Sequence, residues 1–71
     1  MNIILSSSNN QPIYEQIVTQ IKAMIMSGEL KPKDPLPSIR GLAKSLHVSV
    51  ITAQHAYEEL QRDGFIETVA G

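Results

Sequence analysis

The chain has 71 residues, no cysteine and a formal net charge of −1, which allows one small domain with a single core and excludes disulfides and thiolate metal sites. Binding to nucleic acid would depend on where the six basic residues lie, because no overall basic excess is present. No apolar run approaches the roughly 20 residues of a membrane span, and the start lacks the regions of a signal peptide, so we expect a cytoplasmic protein.

The first predicted element is an amphipathic helix that follows Pro12. Isoleucines recur at every fourth position, at Ile13, Ile17, Ile21 and Ile25. The same apolar stripe is widened by Tyr14, Val18 and Met24. This period is typical of a helix with one buried face, and proline suits a first turn because its missing N–H is not needed there. Gly28 follows the stripe, and we expect it to end the helix in a left-handed conformation.

A proline-rich connection and a short second helix come next. Residues 31–37 hold three of the four prolines, and no helix can run through them. Ser38 then offers a side-chain oxygen as an N-cap. The apolar residues that follow have the helical spacing of three and four: Ile39, Leu42, Ala43 and Leu46. Gly41, inside this helix, costs about 1 kcal/mol relative to alanine.

A third helix is predicted over 49–62, after a break at His47 and Val48. Ser49 is a second N-cap candidate. The buried face is formed by Ala53, Ala56, Tyr57 and Leu60. Asp63 and Gly64 then indicate a turn, and residues 65–69 are expected to form a strand that begins a β-wing. Because a lone strand needs a partner, residues 3–5 are a candidate to pair with it.

The order of these elements predicts a mainly α fold, a winged helix-turn-helix in which a three-helix bundle is followed by a short, truncated β-wing. About four residues join the second and third helices, as in a helix-turn-helix, whose second member enters the major groove of DNA. Opposite its buried face the third helix carries Ile51 and His55, flanked by Thr52 and Gln54. An exposed isoleucine can contact a thymine methyl while its neighbours bond base edges, so this face suits base readout.

A set of short motifs runs through the chain. It consists of Leu36-Pro37-Ser38-Ile39-Arg40, Leu42-Ala43, Leu46, Val48-Ser49, Thr52, Ala56-Tyr57, Leu60 and Gly64-Phe65-Ile66, preceded by Pro12-Ile13-Tyr14-Glu15-Gln16-Ile17 and Gly28-Glu29-Leu30-Lys31-Pro32. Together these motifs resemble the GntR family of bacterial transcriptional regulators, and within it the YtrA-type branch. The resemblance covers residues 11–71, and its motifs are specific as a set although each is weak alone.

The resemblance implies a winged helix that binds palindromic operator DNA as a homodimer, usually as a repressor. Residues 1–71 would be its DNA-binding domain, with the C-terminal dimerisation or effector region absent and the effector ligand unknown. Family members contact DNA through positions that match Arg40, Ser49, Val50, Ile51 and Thr52. Our other DNA-binding candidates are Ser38, Gln54, His55 and Tyr14. Val50 and Gln54 replace frequent basic residues, and Gly41 replaces a frequent acidic one, so the operator sequence does not carry over.

Several candidates have a plainer alternative. Arg40 could be an ordinary exposed arginine, although a cation in the first turn of a helix is disfavoured unless an anion is nearby. Ser49 and Thr52 could simply cap the third helix, and Tyr14 has equal support as a phosphate contact and as a packing residue. His47 and His55 lie in different elements without a cysteine nearby, so we expect no metal and no cofactor.

The main rival function is a winged helix that binds another protein and no DNA, which the acidic balance of the chain supports. The distribution of charge separates the two functions. If Arg40, Lys44, Lys31 and Lys33 share a face with Ile51 and His55, DNA binding is favoured. No nucleophile beside a base and no cluster of metal ligands is visible in the sequence, so we do not expect an enzyme.

Overall fold

Three α-helices form the secondary structure of the described residues. The computed structural model describes residues 3–6, 8, 10–31 and 35–67. Within them α1 spans Ile13–Met26, α2 spans Ile39–Leu46 and α3 spans Val50–Arg62. The three predicted helices are therefore confirmed, in the predicted order and with the predicted short turn between α2 and α3. None of the three is long and apolar enough to cross a membrane.

The core is built around α3, which packs against both α1 and α2. Its predicted apolar face is buried, with Ala53, Ala56, Tyr57 and Leu60 almost inaccessible to solvent. The other helices add Ile17, Val18, Ile21, Leu42 and Ala43 to the same cluster. Fully burying a large aliphatic side chain is worth about 1.5–3 kcal/mol. One continuous apolar cluster therefore holds α3 in a fixed position between the two other helices.

The two predicted N-caps are confirmed. The Ser38 hydroxyl accepts a hydrogen bond of 3.0 Å from the Gly41 N–H, and the Ser49 hydroxyl accepts one of 3.0 Å from the Thr52 N–H. Such a cap stabilises a helix by about 1 kcal/mol because the first N–H groups have no partner within the helix. The caps define where α2 and α3 begin, and hence which residues form the first turn of each.

Left-handed residues end the helices. Gly28 has φ +84°, as predicted, and Gly64 after α3 has φ +79°. At the turn of the helix-turn-helix the same conformation is adopted by His47, with φ 57° and ψ 43°. This conformation lets the Val48 N–H donate a 3.0 Å hydrogen bond to the Ala43 carbonyl. The turn therefore satisfies a terminal carbonyl of α2 before the chain enters α3.

The segment before α1 lies along that helix and is held by two glutamine side chains. The Gln20 amide accepts from the Ile4 N–H at 2.9 Å and donates to the Ile4 carbonyl at 2.7 Å. The Gln16 amide makes the same pair of contacts with Ser6, both at 2.9 Å. Each side-chain amide thus bonds the backbone as a neighbouring strand would. The segment packs Ile3 and Leu5 against the core.

The predicted strand over 65–69 is wrong for residues 65–67, which form a bend and an irregular segment; residues 68–71 lie outside the described residues. The Phe65 N–H is used to close α3, donating 2.9 Å to the Leu60 carbonyl. Phe65 and Ile66 pack against the helical core. The suggested partner at 3–5 does not pair with this segment, since Ile4 is bonded to Gln20 instead. Without a pairing strand, no ladder forms here.

Candidate nucleic-acid interface

The outward face of α3 carries an apolar side chain with almost no protein contact. Ile51 is 78% exposed and Val50 is 45% exposed, while Ala53 and Tyr57 on the opposite face are buried. The predicted helical phase is therefore correct. Leaving an isoleucine this exposed forfeits most of the stabilisation that its burial would provide. The position of Ile51 thus has no explanation in the packing of the domain.

Ser49 and Thr52 form a closed unit at the start of α3. The Ser49 hydroxyl caps the helix, and the two hydroxyl oxygens lie 2.8 Å apart in a hydrogen bond. The capping alternative is therefore confirmed for Ser49. Ser49 is exposed and Thr52 is half-buried, so the cap leaves the serine accessible to a ligand at the helix N-terminus. Contact with DNA remains a prediction for both.

A groove runs between the start of α2 and one flank of α3. Its lining includes Arg40, Val50, Gln54 and Glu58. The structure thus brings together three of the sequence-predicted site residues, one from α2 and two from α3. Ile51 follows Val50 directly, and because each residue of an α-helix turns by about 100°, its side chain lies beside the groove and not in it. The Arg40 guanidinium therefore lies beside α3, the helix that is expected to contact bases.

The basic residues of α2 are not engaged by acidic partners within the described part of the chain. Arg40 and Lys44 are both exposed, and they lie one turn apart on the same side of the helix. Two cations outside α2 are paired: Lys22 Nζ lies 2.8 Å from Asp63 Oδ2, and Arg62 Nη2 lies 2.6 Å from Glu59 Oε2. The hydrogen bond from Lys22 holds the pKa of the Asp63 carboxyl below its usual value.

The charge distribution therefore meets the sequence criterion for DNA in part. Arg40 shares the groove with Val50 and Gln54, and Lys44 extends the positive side of α2. Lys31 is exposed at the end of the segment that follows α1, and Lys33 lies outside the described residues. Despite the net charge of −1, Arg40 thus places a positive side chain beside the recognition helix, where phosphate contacts would be needed, and the acidic Glu58 lines the same groove.

His55 and Tyr14 are stacked against each other across α3 and α1. Their ring centroids are 3.8 Å apart and their planes differ by 14°. His55 Nε2 also lies 3.7 Å from Glu59 Oε1, one turn further along α3. Both rings were predicted as site residues, but their contact was not, because the two positions are far apart in the sequence and no local motif relates them.

Ser38 is an exposed residue two positions before Arg40, and its hydroxyl is occupied as the cap of α2. No group of three or more histidine, cysteine, aspartate or glutamate side chains that could hold a metal ion occurs among the residues for which the structure gives positions. His47 and His55, the two histidines, serve respectively the left-handed turn and the aromatic stack.

The sequence pattern of the family described as "Bacterial regulatory proteins, gntR family" matches residues 13–71. The chain belongs to the GntR family. This is a family of transcription regulators and not of enzymes, and the helix-turn-helix of this chain is of its DNA-binding kind. The resemblance drawn from the short motifs is confirmed, and family membership favours DNA over the protein-binding alternative.

Individual relatives agree with this assignment. The HTH-type transcriptional repressor YtrA of Bacillus subtilis is 44% identical over 97% of this GntR chain and 53% of its own length. The repressor NagR of the same organism is 40% identical over 84% of this chain and 25% of its own length. The chain therefore spans about half, or less, of the curated relatives it matches.

Solved structures show the same fold. YtrA from Sulfolobus acidocaldarius, a GntR-family transcription factor, superposes with a TM-score of 0.84 at 47% identity, covering 87% of this chain and 53% of that one. A transcriptional antiterminator from Listeria monocytogenes EGD-e gives a TM-score of 0.93 at 37% identity, covering 100% of this chain and 53% of that one. The helix arrangement described above is thus the GntR winged helix-turn-helix.

Proposed function

We propose that this chain is the operator-reading domain of a repressor, and that the first two turns of α3 enter the major groove of DNA. The observation that carries the proposal is the 78% exposure of Ile51 at the middle of the outward face of α3. An apolar side chain in this position gains a partner in the methyl group of a thymine. Val50, also exposed, would extend the apolar contact.

Polar members of the same helix would complete base recognition. Gln54 lies in the groove beside Arg40, and an amide can bond an adenine through two atoms at once. His55 occupies the other side of Ile51 and would bond a purine edge. Thr52, with its hydroxyl bonded to Ser49, would meet DNA mainly through its methyl group. Each good base contact is worth about 1–3 kcal/mol of discrimination.

Phosphates would be contacted from α2 and from the two helix N-termini. Arg40 supplies a charge without an ion-pair partner in the described structure, and Ser38 and Ser49 place a hydroxyl and N–H groups at the start of a helix, where anions are favoured. The Tyr14 hydroxyl is the remaining candidate. We assign these residues to orientation and affinity, because phosphate contacts carry no sequence information of their own.

Acidic residues limit how much of α3 can enter the groove. Glu58 is exposed and Glu59 is half-buried, and both follow the predicted reading residues by about one turn. Arg62 neutralises Glu59, whereas Glu58 has no ion pair among the described side chains. Repulsion from the phosphates would keep this second half of α3 near the rim, so that residues 50–55 insert most deeply.

The proposed assembly is a homodimer on a palindromic operator, acting in the cytoplasm. The named relatives are repressors, of which YtrA of Bacillus subtilis is roughly twice the length of this chain, and the contacts between protomers would come from the region that corresponds to the second half of YtrA. Two recognition helices would then lie about 34 Å apart, one turn of DNA. Joining two half-sites raises affinity by commonly about 100-fold or more through effective concentration. We propose no cofactor for this activity.

Selection of operators from randomised duplexes at one salt concentration tests the proposal. We expect an enriched sequence, and we expect that replacing one recognised base pair lowers affinity by about 5- to 150-fold, which corresponds to 1–3 kcal/mol. A scrambled duplex of the same length is the control. Recovery of no common sequence, or equal affinity for the selected and scrambled duplexes, would contradict sequence-specific binding.

A further inference from the structure

The stack between Tyr14 and His55 joins the recognition helix to a helix outside the helix-turn-helix. The parallel rings, 3.8 Å apart, leave the imidazole little freedom to rotate, because any other rotamer would separate the two faces. An exposed histidine on an isolated helix would instead sample several rotamers. The orientation of His55 is therefore set by a residue of α1.

A carboxylate of its own helix lies near the same imidazole. His55 Nε2 lies 3.7 Å from Glu59 Oε1. Glu59 is in turn held by Arg62, whose Nη2 is 2.6 Å from Glu59 Oε2. The imidazole thus packs against an aromatic ring on one face and has a paired carboxylate one turn away. Yet the His55 side chain remains 48% exposed, so it is accessible to a ligand while its orientation is constrained.

We infer that Tyr14 is a positioning residue for base recognition, whose ring holds His55 in the orientation in which it meets a base edge. This inference rests on the proposed function, since it requires that α3 reads DNA. It differs from a direct contact between the Tyr14 hydroxyl and a phosphate, because here the ring acts and the hydroxyl does not. No hydrogen bond to that hydroxyl is present among the described residues.

The expected gain follows from ordering the histidine before DNA arrives. Immobilising one side chain at an interface costs about 0.5–1.5 kcal/mol, which corresponds to about two- to tenfold in affinity. If His55 is already ordered in the free protein, this cost is avoided, but only at the base pair that His55 contacts. The effect of Tyr14 should therefore appear at the base pair that His55 recognises and not uniformly over the operator.

The test is a series of single-base operator variants measured with the wild type and four variants: His55→Ala, Tyr14→Leu, Tyr14→Phe and the double variant Tyr14→Leu/His55→Ala. His55→Ala identifies the base pair concerned. At that base pair Tyr14→Leu should lower the preference by about two- to tenfold, and Tyr14→Phe should restore it because the ring is kept. In the double variant the loss should equal that of His55→Ala alone, since Tyr14 acts through the histidine.

Melting curves of each variant keep a loss of folding separate from a loss of recognition, and binding is measured well below the lowest melting temperature. If Tyr14→Leu leaves the preference unchanged at the base pair found with His55→Ala, the inference is overturned. Equal weakening of Tyr14→Leu and Tyr14→Phe on every duplex would also overturn it, in favour of a phosphate contact through the hydroxyl. If the wild type prefers one operator sequence and His55→Ala changes that preference at no base pair, the inference is overturned but the proposed function stands. If the wild type itself shows no sequence preference, both are refuted.

Discussion

The Tyr57 hydroxyl donates a 2.7 Å hydrogen bond to the Pro37 carbonyl oxygen. Tyr57 is 1% exposed and lies on the buried face of α3, while Pro37 ends the connection that leads into α2. One bond therefore ties the recognition helix to the residue before the Ser38 cap. It fixes the start of α2, and with it Arg40, relative to the helix that is proposed to read bases.

Tyr57→Phe should lower the free energy of unfolding by about 1 kcal/mol at neutral pH, because it removes this hydrogen bond and keeps the ring. A change of this size lowers the melting temperature by about 4–8 °C in a domain this small. Urea unfolding at pH 7 provides the measurement. An unchanged unfolding free energy would show that the bond contributes nothing beyond what water supplies in the unfolded chain.

The same substitution should remove an alkaline sensitivity. Burial raises the pKa of Tyr57 from 10.0 to about 12. Between these two pH values the folded state keeps the phenolic proton that the unfolded state has lost. The contribution of Tyr57 to the free energy of unfolding is therefore complete below pH 10 and is lost as the pH rises towards 12. The slope is at most about 1.4 kcal/mol per pH unit. Unfolding curves between pH 9 and 11 should decline more steeply for the wild type than for Tyr57→Phe, and parallel curves would contradict the assignment.

Gln16→Ala should be strongly destabilising. Gln16 is 4% exposed, and its amide bonds the Ser6 N–H and the carbonyls of Ser6 and Gln11, each at 2.9 Å. Removing it leaves backbone groups without partners, which should lower the free energy of unfolding by about 2–3 kcal/mol. Gln20→Ala is the matched control, because its two bonds to Ile4 are exposed and water can replace them. Equal losses in the two variants would show that burial of Gln16 is not what matters.

His47→Gly should stabilise the protein, since His47 is held at φ 57°. A left-handed conformation costs an L-residue about 1–2 kcal/mol and glycine almost nothing, and the extra freedom of glycine in the unfolded chain offsets part of the gain. We expect a net increase of about 0.5–1 kcal/mol in the free energy of unfolding. Ser45→Gly, at an exposed position inside α2, should instead decrease it by about 0.5 kcal/mol. Loss of stability in His47→Gly would mean that the imidazole itself contributes to the turn.

Arg40→Ala should weaken binding to every duplex by a similar factor and reduce the slope of log affinity against log salt by about one, as expected for a phosphate contact. Arg62→Ala is a control for loss of the same charge, since Arg62 lies about three turns beyond Ile51 and is paired with Glu59. The measurement is a titration at four salt concentrations. A relaxed preference at one base pair would assign Arg40 to base readout instead, and an unchanged slope and preference would remove it from the interface.

Local sequence signals were sufficient for the helices and their boundaries. The isoleucine period, the serines at positions 38 and 49 and the glycine after α1 act within one or two turns, and each was found where expected. Contacts between distant residues were not accessible in this way. No period relates Tyr14 to His55 or Gln16 to Ser6, because packing of α1 against α3 and docking of the N-terminal segment create these pairs.

The strand prediction failed for a related reason. Residues 65–67 have β-type composition, but a strand exists only with a hydrogen-bonding partner. In this chain the Phe65 N–H closes α3, and the Phe65 ring lies beneath Lys22, whose Nζ is 5.1 Å from the ring centroid. Tertiary contacts at the end of α3 therefore determine the conformation of this segment. At the candidate site the exposure of Ile51, Gln54 and His55 was predicted correctly, whereas Thr52 is half-buried and the stacking of His55 on Tyr14 required the structure.

The most direct test of the account compares Ile51→Ala with Met26→Ala, which truncates an equally exposed apolar side chain on α1; both residues are 78% exposed. Binding to single-base operator variants is measured beside a melting curve. We expect Ile51→Ala to keep the melting temperature and to reduce the preference at one base pair by about 5- to 150-fold, while Met26→Ala changes neither. An unchanged preference at every base pair in Ile51→Ala would contradict base reading by the outward face of α3.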